Sequence, residues 1–404
     1  MKHYDIVVCG GGIAGVAAAL AAARRGRKVL LVEKQSVLGG LATSGLIYIY
    51  LPISDDHDNI IASSITEELL INCQEYGPFS LAEKWGGTQD GNPGNQRDAC
   101  LCCFSPAGYM LTLDRMIRDS GAELRLETTV TGVRCDGNNN LKEIEIFCGC
   151  EKENISADCF IDATGGAYVL RMAGNKVFPE VNYHTPWIME LNRKNAAKYH
   201  FTENLHIQPI KAPDVDGSMP QVLSAAELQE FLRRQFREIR AYYDAMTPEE
   251  RKVNYPVHLP AMPQTRKIAR IDALAEIRSQ EAGLRVEDSI GVAADWREKA
   301  PAWETPYGAL LPRQVGNALA AGRCINSSGD AWEIFRVIPA AAMTGEAAGV
   351  AAAISSEQNL SPAAIPVSAL QHELQKTGGI MHIDNGYPLK TKELSDDKKD
   401  LNIK

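Results

Sequence analysis

The 404-residue sequence lacks long basic tracts, and its acidic residues outnumber its basic ones by 51 to 42. The resulting net charge of −9 gives no electrostatic footprint for nucleic acid. Long apolar runs are also missing. The nearest to one, residues 337–354, is mostly Ala and Gly and carries Glu346, which predicts a buried helix and no membrane span. The chain enters its first strand at Tyr4, so a protein without a removable leader is expected. Ten cysteines in that setting predict reduced thiols and a cytoplasmic location. Cys148 and Cys150 are spaced too tightly for the usual zinc pairs. Cys100, Cys102 and Cys103 contain one formal C-x-x-C, yet no helix start follows Cys100 to lower a thiol pKa. Three readings of that cluster stand: buried strand thiols, a redox-active pair, or a metal or iron–sulfur site. The first is preferred, and no metal site is expected. His57, in an acidic loop, reads as a solvated surface residue.

What is present is concentrated at the start. Residues 4–34 read as a short apolar strand, a turn with Gly10, Gly12 and Gly15 at G-x-G-x-x-G spacing, an alanine-rich helix stopped by Gly26, and a second strand ending at Glu33. In a dinucleotide-binding βαβ unit each glycine has a separate task. Gly10 permits the tight turn, Gly12 lets backbone approach a diphosphate, and Gly15 lets helix and strand pack closely. The helix N-terminus, with Ile13 and Ala14, offers unpaired N–H groups to phosphate oxygens. Glu33, followed by Lys34, is placed to accept hydrogen bonds from an adenosine ribose, and its charge disfavours a ribose phosphate. A second glycine pair, Gly39 and Gly40, follows with Leu41, Ala42, Thr43, Ser44 and Gly45, and adds backbone donors near the same diphosphate.

The opening motif together with GGLATSG resembles the FAD-dependent oxidoreductases of the glutathione-reductase-like superfamily, and more narrowly a bacterial family related to fumarate-reductase flavoproteins. The resemblance covers roughly residues 1–48, 107–170 and 303–382. It implies FAD, with non-covalent binding preferred to covalent, Thr43 and Ser44 near the isoalloxazine and Val130 against the adenine. Ala163-Thr164-Gly165, after an apolar strand, matches the A-T-G motif of that superfamily. The C-terminal flavin segment is matched by a strand at 319–321, Gly322-Arg323, Ser328-Gly329-Asp330, and then Arg336, Val337, Ile338 and Pro339 opening a small-residue helix. Pro339 suits a first helical turn, and Gly345 and Gly349 permit close approach to the sheet. Family members often carry a histidine where this chain has Gly329-Asp330.

Elsewhere the pattern predicts helices at 60–76, 111–120 and 225–243, a strand at 123–133, another at 141–147, and a short amphipathic helix within 367–382. The expected architecture is α/β: a Rossmann-like FAD-binding domain, with a parallel sheet and helices in three layers, and an inserted α+β substrate domain. Its parts are a discontinuous FAD domain (1–48, 107–171, 303–356), an insertion over the flavin (49–106), a substrate or cap domain (172–302) and a C-terminal cap and tail (357–404). Candidate catalytic residues are Tyr307, Asp330, Arg336 and Arg266, with His184 and His258 as outsiders. Arg266, in the basic stretch that also holds Lys267 and Arg270, is suited to hold an anionic substrate group, if that stretch is not a solvated edge.

The expected activity is hydride transfer between flavin N5 and a small organic substrate, with an anionic one among the candidates. Only one nucleotide fingerprint occurs, so an external electron donor or acceptor is implied, and homo-oligomers are common among such flavoproteins. Two alternatives stand beside it: a non-catalytic binding protein on the same fold, and a flavin–thiol sulfur-transfer enzyme resembling thiazole synthases.

Overall fold

A computed structural model describes residues 2–55, 61–77, 101–180, 182–183, 185–192, 205–210, 218–219, 221–297 and 301–383. His57, Cys100 and His184 lie outside these residues.

The core is a seven-stranded sheet. Its first strand, β1 (Lys2–Cys9), pairs in parallel with β2 (Val29–Val32) on one side and with the long strand Glu151–Asp162 on the other. Strand Glu123–Arg125 extends the parallel set beyond β2, and Ala318–Ala320 adds to it beside Phe160, Ile161 and Asp162. Buried on both faces, residues 6–9 of β1 and the whole of β2 read as unbroken apolar runs, the signature of parallel strands covered by helices. The earlier half of strand Glu151–Asp162 pairs antiparallel with Leu141–Cys148, which in turn pairs with Thr128–Cys135. The α/β expectation is met. The single strand expected at 123–133 is instead two: Glu127 adopts a positive φ of 49°, and the chain turns there from the parallel set into the antiparallel one.

Helix α1 (Ile13–Ala23) is almost wholly buried, and small side chains make that possible. A Cβ on Gly15 would lie 1.8 Å from the Gly10 carbonyl oxygen, so α1 touches the turn that starts it. On its other side runs the helix Ile338–Gln358. A Cβ on Gly345 or Gly349 would lie 2.2 or 2.3 Å from the carbonyls of Ala14 or Ala18. These two glycines therefore serve contact with α1 and not, as expected from sequence, with the sheet. By length and apolarity Ile338–Gln358 could cross a membrane, but 89% of its apolar window is buried within the fold. It is a core helix, as its composition predicts.

Helix Pro106–Asp119 starts earlier than its apolar pattern suggests, because Ser105 caps the Gly108 N–H at 3.2 Å and Pro106 fits the first turn. The 172–302 stretch contains a three-stranded antiparallel sheet, Leu205–Pro209, Trp187–Asn192 and Asn254–His258. Against it packs the helix Ala225–Asp244, which opens with a capping box of Ser224 and Glu227.

The 49–106 segment is closed at its base by Ile49–Tyr50 pairing with Cys102–Cys103. Its helix Ile65–Asn72 packs on α1 and on Ile338–Gln358. Arg24 pairs with Glu68 at 2.6 Å, and Glu346 accepts hydrogen bonds from Ser64 and, at 3.1 Å, from Thr377. The described part of this segment thus braces the helical layer.

Replacing Gly345 by Val should destabilise the fold by about 3 kcal/mol, because the obstructing atom is backbone and cannot swing aside. Chemical denaturation of the purified variant measures this, and an unchanged midpoint would show that the two helices can separate freely.

Candidate functional site

Register places the site. Val32, Cys9, Asp162 and Ala320 lie in one row across the parallel strands. The residues that follow each of them leave the sheet together at its carboxyl edge, where ligands of open α/β sheets bind. A cleft of about 720 Å³ runs along this edge. Glu33, Gly10, Ala163 and Gly322 all line it. With three strand spacings between β2 and Ala318–Ala320, the Glu33 end and the Gly322 end are roughly 14 Å apart.

At the centre the two glycine pairs form one unit. Gly39 N–H donates to the Gly11 carbonyl at 2.8 Å, and Gly12 and Gly39 form a parallel bridge. Gly10 turns at φ 103°, where an added Cβ would strike the Ala163 carbonyl at 2.6 Å. Gly12 is different: a Cβ there would meet nothing within 4 Å. Gly12 is also the N-cap of α1 and gives the first turn no side-chain cap. The helix therefore presents bare N–H groups to open space, which is how an α-helix receives a phosphate.

Glu33 is 7% exposed, and burial raises its pKa against the opposing pull of backbone donors. Gly11 N–H donates to one of its oxygens at 2.6 Å and Gln35 N–H to the other at 2.9 Å. Each oxygen keeps a second lone pair for a ribose hydroxyl. Lys34 lines the cleft beside it, and Val130 lines it with Thr128 and Thr129.

Ala163, Thr164 and Gly165 form the floor. Asp162, which is buried, fixes this turn by accepting from the Thr164 N–H at 3.0 Å, the Thr164 hydroxyl at 2.6 Å and the Leu170 N–H at 2.9 Å. Arg323 reaches back across it, donating from Nε to the Gly165 carbonyl at 2.8 Å and from Nη1 to the Thr265 carbonyl. Ile13, Ala14, Leu41, Ala42, Ile338 and Arg336 complete the expected wall residues. Arg336 pairs with Glu333 at 2.5 Å and lies over the Trp296 ring at 5.6 Å.

Other expected residues lie off the wall. Gly15 serves packing. Thr43 is buried and donates to the Leu38 carbonyl at 2.6 Å, and Ser44 is buried with its carbonyl taken by the Ala261 N–H at 2.9 Å. Thr43 closes the glycine loop on itself, Ser44 fastens it to the 261–264 segment, and the wall is left to Ala42 and Met262. Val337 is the N-cap of Ile338–Gln358 but does not line the cleft. Tyr307 is a core residue, its hydroxyl donating to the Pro362 carbonyl at 3.0 Å. Asp330 is exposed and pairs with Arg297 at 2.9 Å. His258 ends a strand with an exposed side chain. Cys102 and Cys103 are buried strand thiols that do not line the cleft.

The basic stretch around Arg266 is no solvated edge. Lys267 is buried between Glu180 at 2.9 Å and Glu333 at 3.0 Å, and Arg270 pairs with Glu276 at 3.3 Å. Burial, followed by the charges of Arg336 and Arg323, lowers the Arg266 pKa.

The roof was missed by sequence reading. It comes from the 172–302 stretch: Met172, Leu223, Leu228, Met262, Pro263 and Ile268. These apolar residues carry no motif. The one sequence signal was proximity to the basic stretch at 266–270. Gln264, fully buried, ties the roof down by donating to the Gly45 carbonyl at 2.6 Å and the Trp187 carbonyl at 3.0 Å, while its oxygen accepts from the Trp187 N–H at 2.9 Å.

The family model described as FAD dependent oxidoreductase matches residues 5–184 and 179–374. No curated protein matches the sequence. Among solved structures, the chain is similar to a geranylgeranyl bacteriochlorophyll reductase-like protein from Thermoplasma acidophilum, at 14% identity and TM-score 0.48, over 94% of this chain and 84% of that one. It is also similar to p-nitrophenol 4-monooxygenase from Pseudomonas putida, at 12% identity and TM-score 0.47, over 92% and 84% of the two chains. At these scores neither likeness bears on substrate or reaction.

Gly12 and Gly15 separate binding from folding. Gly12→Asp should keep its unfolding midpoint but lose FAD affinity by at least about 100-fold, since a carboxylate would face the diphosphate. Gly15→Ala should lower stability, because its methyl would overlap the Gly10 carbonyl. Fluorescence titration with FAD alongside denaturation measures both, and parallel behaviour of the two variants would refute the assignment. Tyr307→Phe should cost about 1–2 kcal/mol of stability while leaving the rate of flavin reduction unchanged. Glu33 should be protonated at a higher pH than an exposed glutamate, so FAD affinity should fall as pH falls through that range, and Glu33→Gln should flatten the profile.

Proposed function

The chain belongs to the FAD-dependent oxidoreductase family, and from that premise we propose that it transfers a hydride between N5 of the flavin and a small organic substrate admitted beneath the cap. The observation that carries this reading is the row of loops at the level strand ends. Glu33, the α1 N-terminus, the Ala163–Gly165 turn and Gly322 all open into one cleft with an apolar roof.

The wall residues suit the cofactor. The first-turn N–H groups of α1, with Gly12 clear of any side chain, would hold the diphosphate beside the Gly39–Gly40 loop. Glu33 would accept from the ribose, and Thr129 and Val130, which line the same end of the cleft, would flank the adenine. Gly322, Arg323, Arg336 and Ile338 would hold the other end. FAD, when bound, supplies the two-electron chemistry. The protein orients both reactants: Met262, Pro263 and Ile268 exclude water, and Arg323 and Arg336 supply fixed positive charge. Cys9 is the one described cysteine on the wall, and burial and Asp162 push its pKa up, which makes it a poor nucleophile and favours non-covalent FAD. Electrons enter or leave in the second half-reaction through an external donor or acceptor.

Acid precipitation of the purified protein should release its flavin into the supernatant. Anaerobic mixing with a true substrate should then change the flavin by two electrons in one phase, slowed by deuterium at the reacting carbon. An FAD-loaded protein that exchanges electrons only singly, with no isotope effect, would overturn the hydride reading.

A further inference from the structure

Two buried sulfurs meet away from the cleft. Cys73 is the C-cap of the helix Ile65–Asn72, and Cys102 opens the short strand Cys102–Cys103. Each is 1% exposed, and neither lines the cleft. Gln74 draws the helix end and the strand together. Its Nε2 donates to the Cys73 sulfur at 3.1 Å and to the Cys103 carbonyl at 3.0 Å. The Cys102 thiol lies 3.3 Å from that same carbonyl and within hydrogen-bond reach of the Cys73 sulfur. Successive residues of a strand point to opposite faces, so the face that brings Cys102 to Cys73 turns Cys103 away.

The two sulfurs are not equivalent. Cys73 receives the N–H hydrogen bond from Gln74. The hydrogen bond to Cys73, together with burial, pushes the Cys102 pKa well up, so Cys102 keeps its proton. Cys73 is therefore the sulfur that attacks an oxidant first, and Cys102 is the one that resolves the product. Burial selects the oxidant. A site closed to solvent admits a small uncharged molecule and excludes a peptide disulfide, because thiol chemistry depends on access.

We infer that Cys73 and Cys102 form a peroxide-oxidisable pair whose disulfide staples the base of the 49–106 segment. In the first step the Cys73 sulfur attacks one oxygen of hydrogen peroxide. The O–O bond breaks, Cys73 becomes a sulfenic acid, and the departing hydroxide takes the thiol proton as water. In the second step the Cys102 sulfur attacks the Cys73 sulfur. The S–S bond forms, the S–O bond breaks, and hydroxide leaves with the Cys102 proton as a second water. Two electrons have passed from sulfur to oxygen. Added peroxide suffices for the step, whatever the substrate of the flavin. The new bond closes a loop around residues 74–101. It ties the helix Ile65–Asn72, which packs on α1 and Ile338–Gln358, to the strand paired with Ile49–Tyr50. Closing that loop removes conformational freedom from the unfolded chain.

The test treats FAD-loaded protein with hydrogen peroxide, alkylates it in denaturant, and digests it with trypsin and chymotrypsin. Mass spectrometry should find the Cys73 and Cys102 peptides joined, two hydrogens lighter than the separate pair. Cys73→Ser and Cys102→Ser should each lose the link, whereas Cys100→Ser and Cys103→Ser should keep it. In Cys102→Ser the sulfenic acid should persist on Cys73, where dimedone traps it. In Cys73→Ser, Cys102 should take no dimedone. Oxidation should raise the thermal midpoint of the wild-type protein by about 4 °C, the size expected for a loop of this length in a chain of this size, and should not raise that of Cys102→Ser. Free Cys73 and Cys102 in the oxidised wild-type protein overturn the pairing, as does a link confined to Cys100, Cys102 and Cys103. A dimedone label on Cys102 overturns the order of attack, and a midpoint unmoved by the disulfide overturns the staple.

Discussion

The position of α1 is the constraint on which the site depends. The helix is held by backbone contact on two sides: Gly15 against the Gly10 carbonyl, and Ala14 and Ala18 against Gly345 and Gly349. No side chain in these contacts is long enough to adjust. Van der Waals contact between backbones therefore fixes where the bare N–H groups of α1 point, and a packed interior transmits that position without slack. The long helix Ile338–Gln358 is fixed by the same contact, and its N-terminus delivers Ile338 to the cleft. A single helix–helix interface thus aligns a residue near position 13 with one near position 338.

Around this rigid centre the polar groups are arranged by charge. Carboxylates do structural work where the backbone needs acceptors: Asp162 ties down the Ala163–Gly165 turn, and Glu33 holds the Gly11 N–H. Both have raised pKa values because burial outweighs the donors that surround them. Guanidinium groups gather at the opposite end of the cleft. The separation follows from the strand order, since β2 and Ala318–Ala320 lie on opposite sides of the central pair.

The nucleotide half was legible from sequence because its signals are local. A glycine that must adopt φ 103°, or accept a carbonyl 1.8 Å from where a Cβ would be, admits no substitute, so the requirement appears in the sequence as glycine at fixed spacing. The helix Ala225–Asp244 was equally legible, since its capping box and apolar stripe are also local. Tyr307 was misplaced for the converse reason. A tyrosine before a glycine in a turn looks the same whether its hydroxyl meets substrate or the Pro362 carbonyl 55 residues away.

Sequence by itself determined the βαβ start, the strand-ending A-T-G turn, the Arg336–Ile338 helix opening and hence the cofactor class, because each is a backbone requirement written into consecutive residues. Tertiary structure decided what covers the cleft and what charge it holds. Met262, Pro263, Leu223 and Leu228 become a roof only when Gln264 pins its segment to Gly45 and Trp187. Arg266, Arg323 and Arg336 become one cluster only when segments up to 70 residues apart are folded together. Coulombic coupling and apolar contact depend on distance in space, and a chain read in order contains no measure of that distance until its sheet has set the strand order.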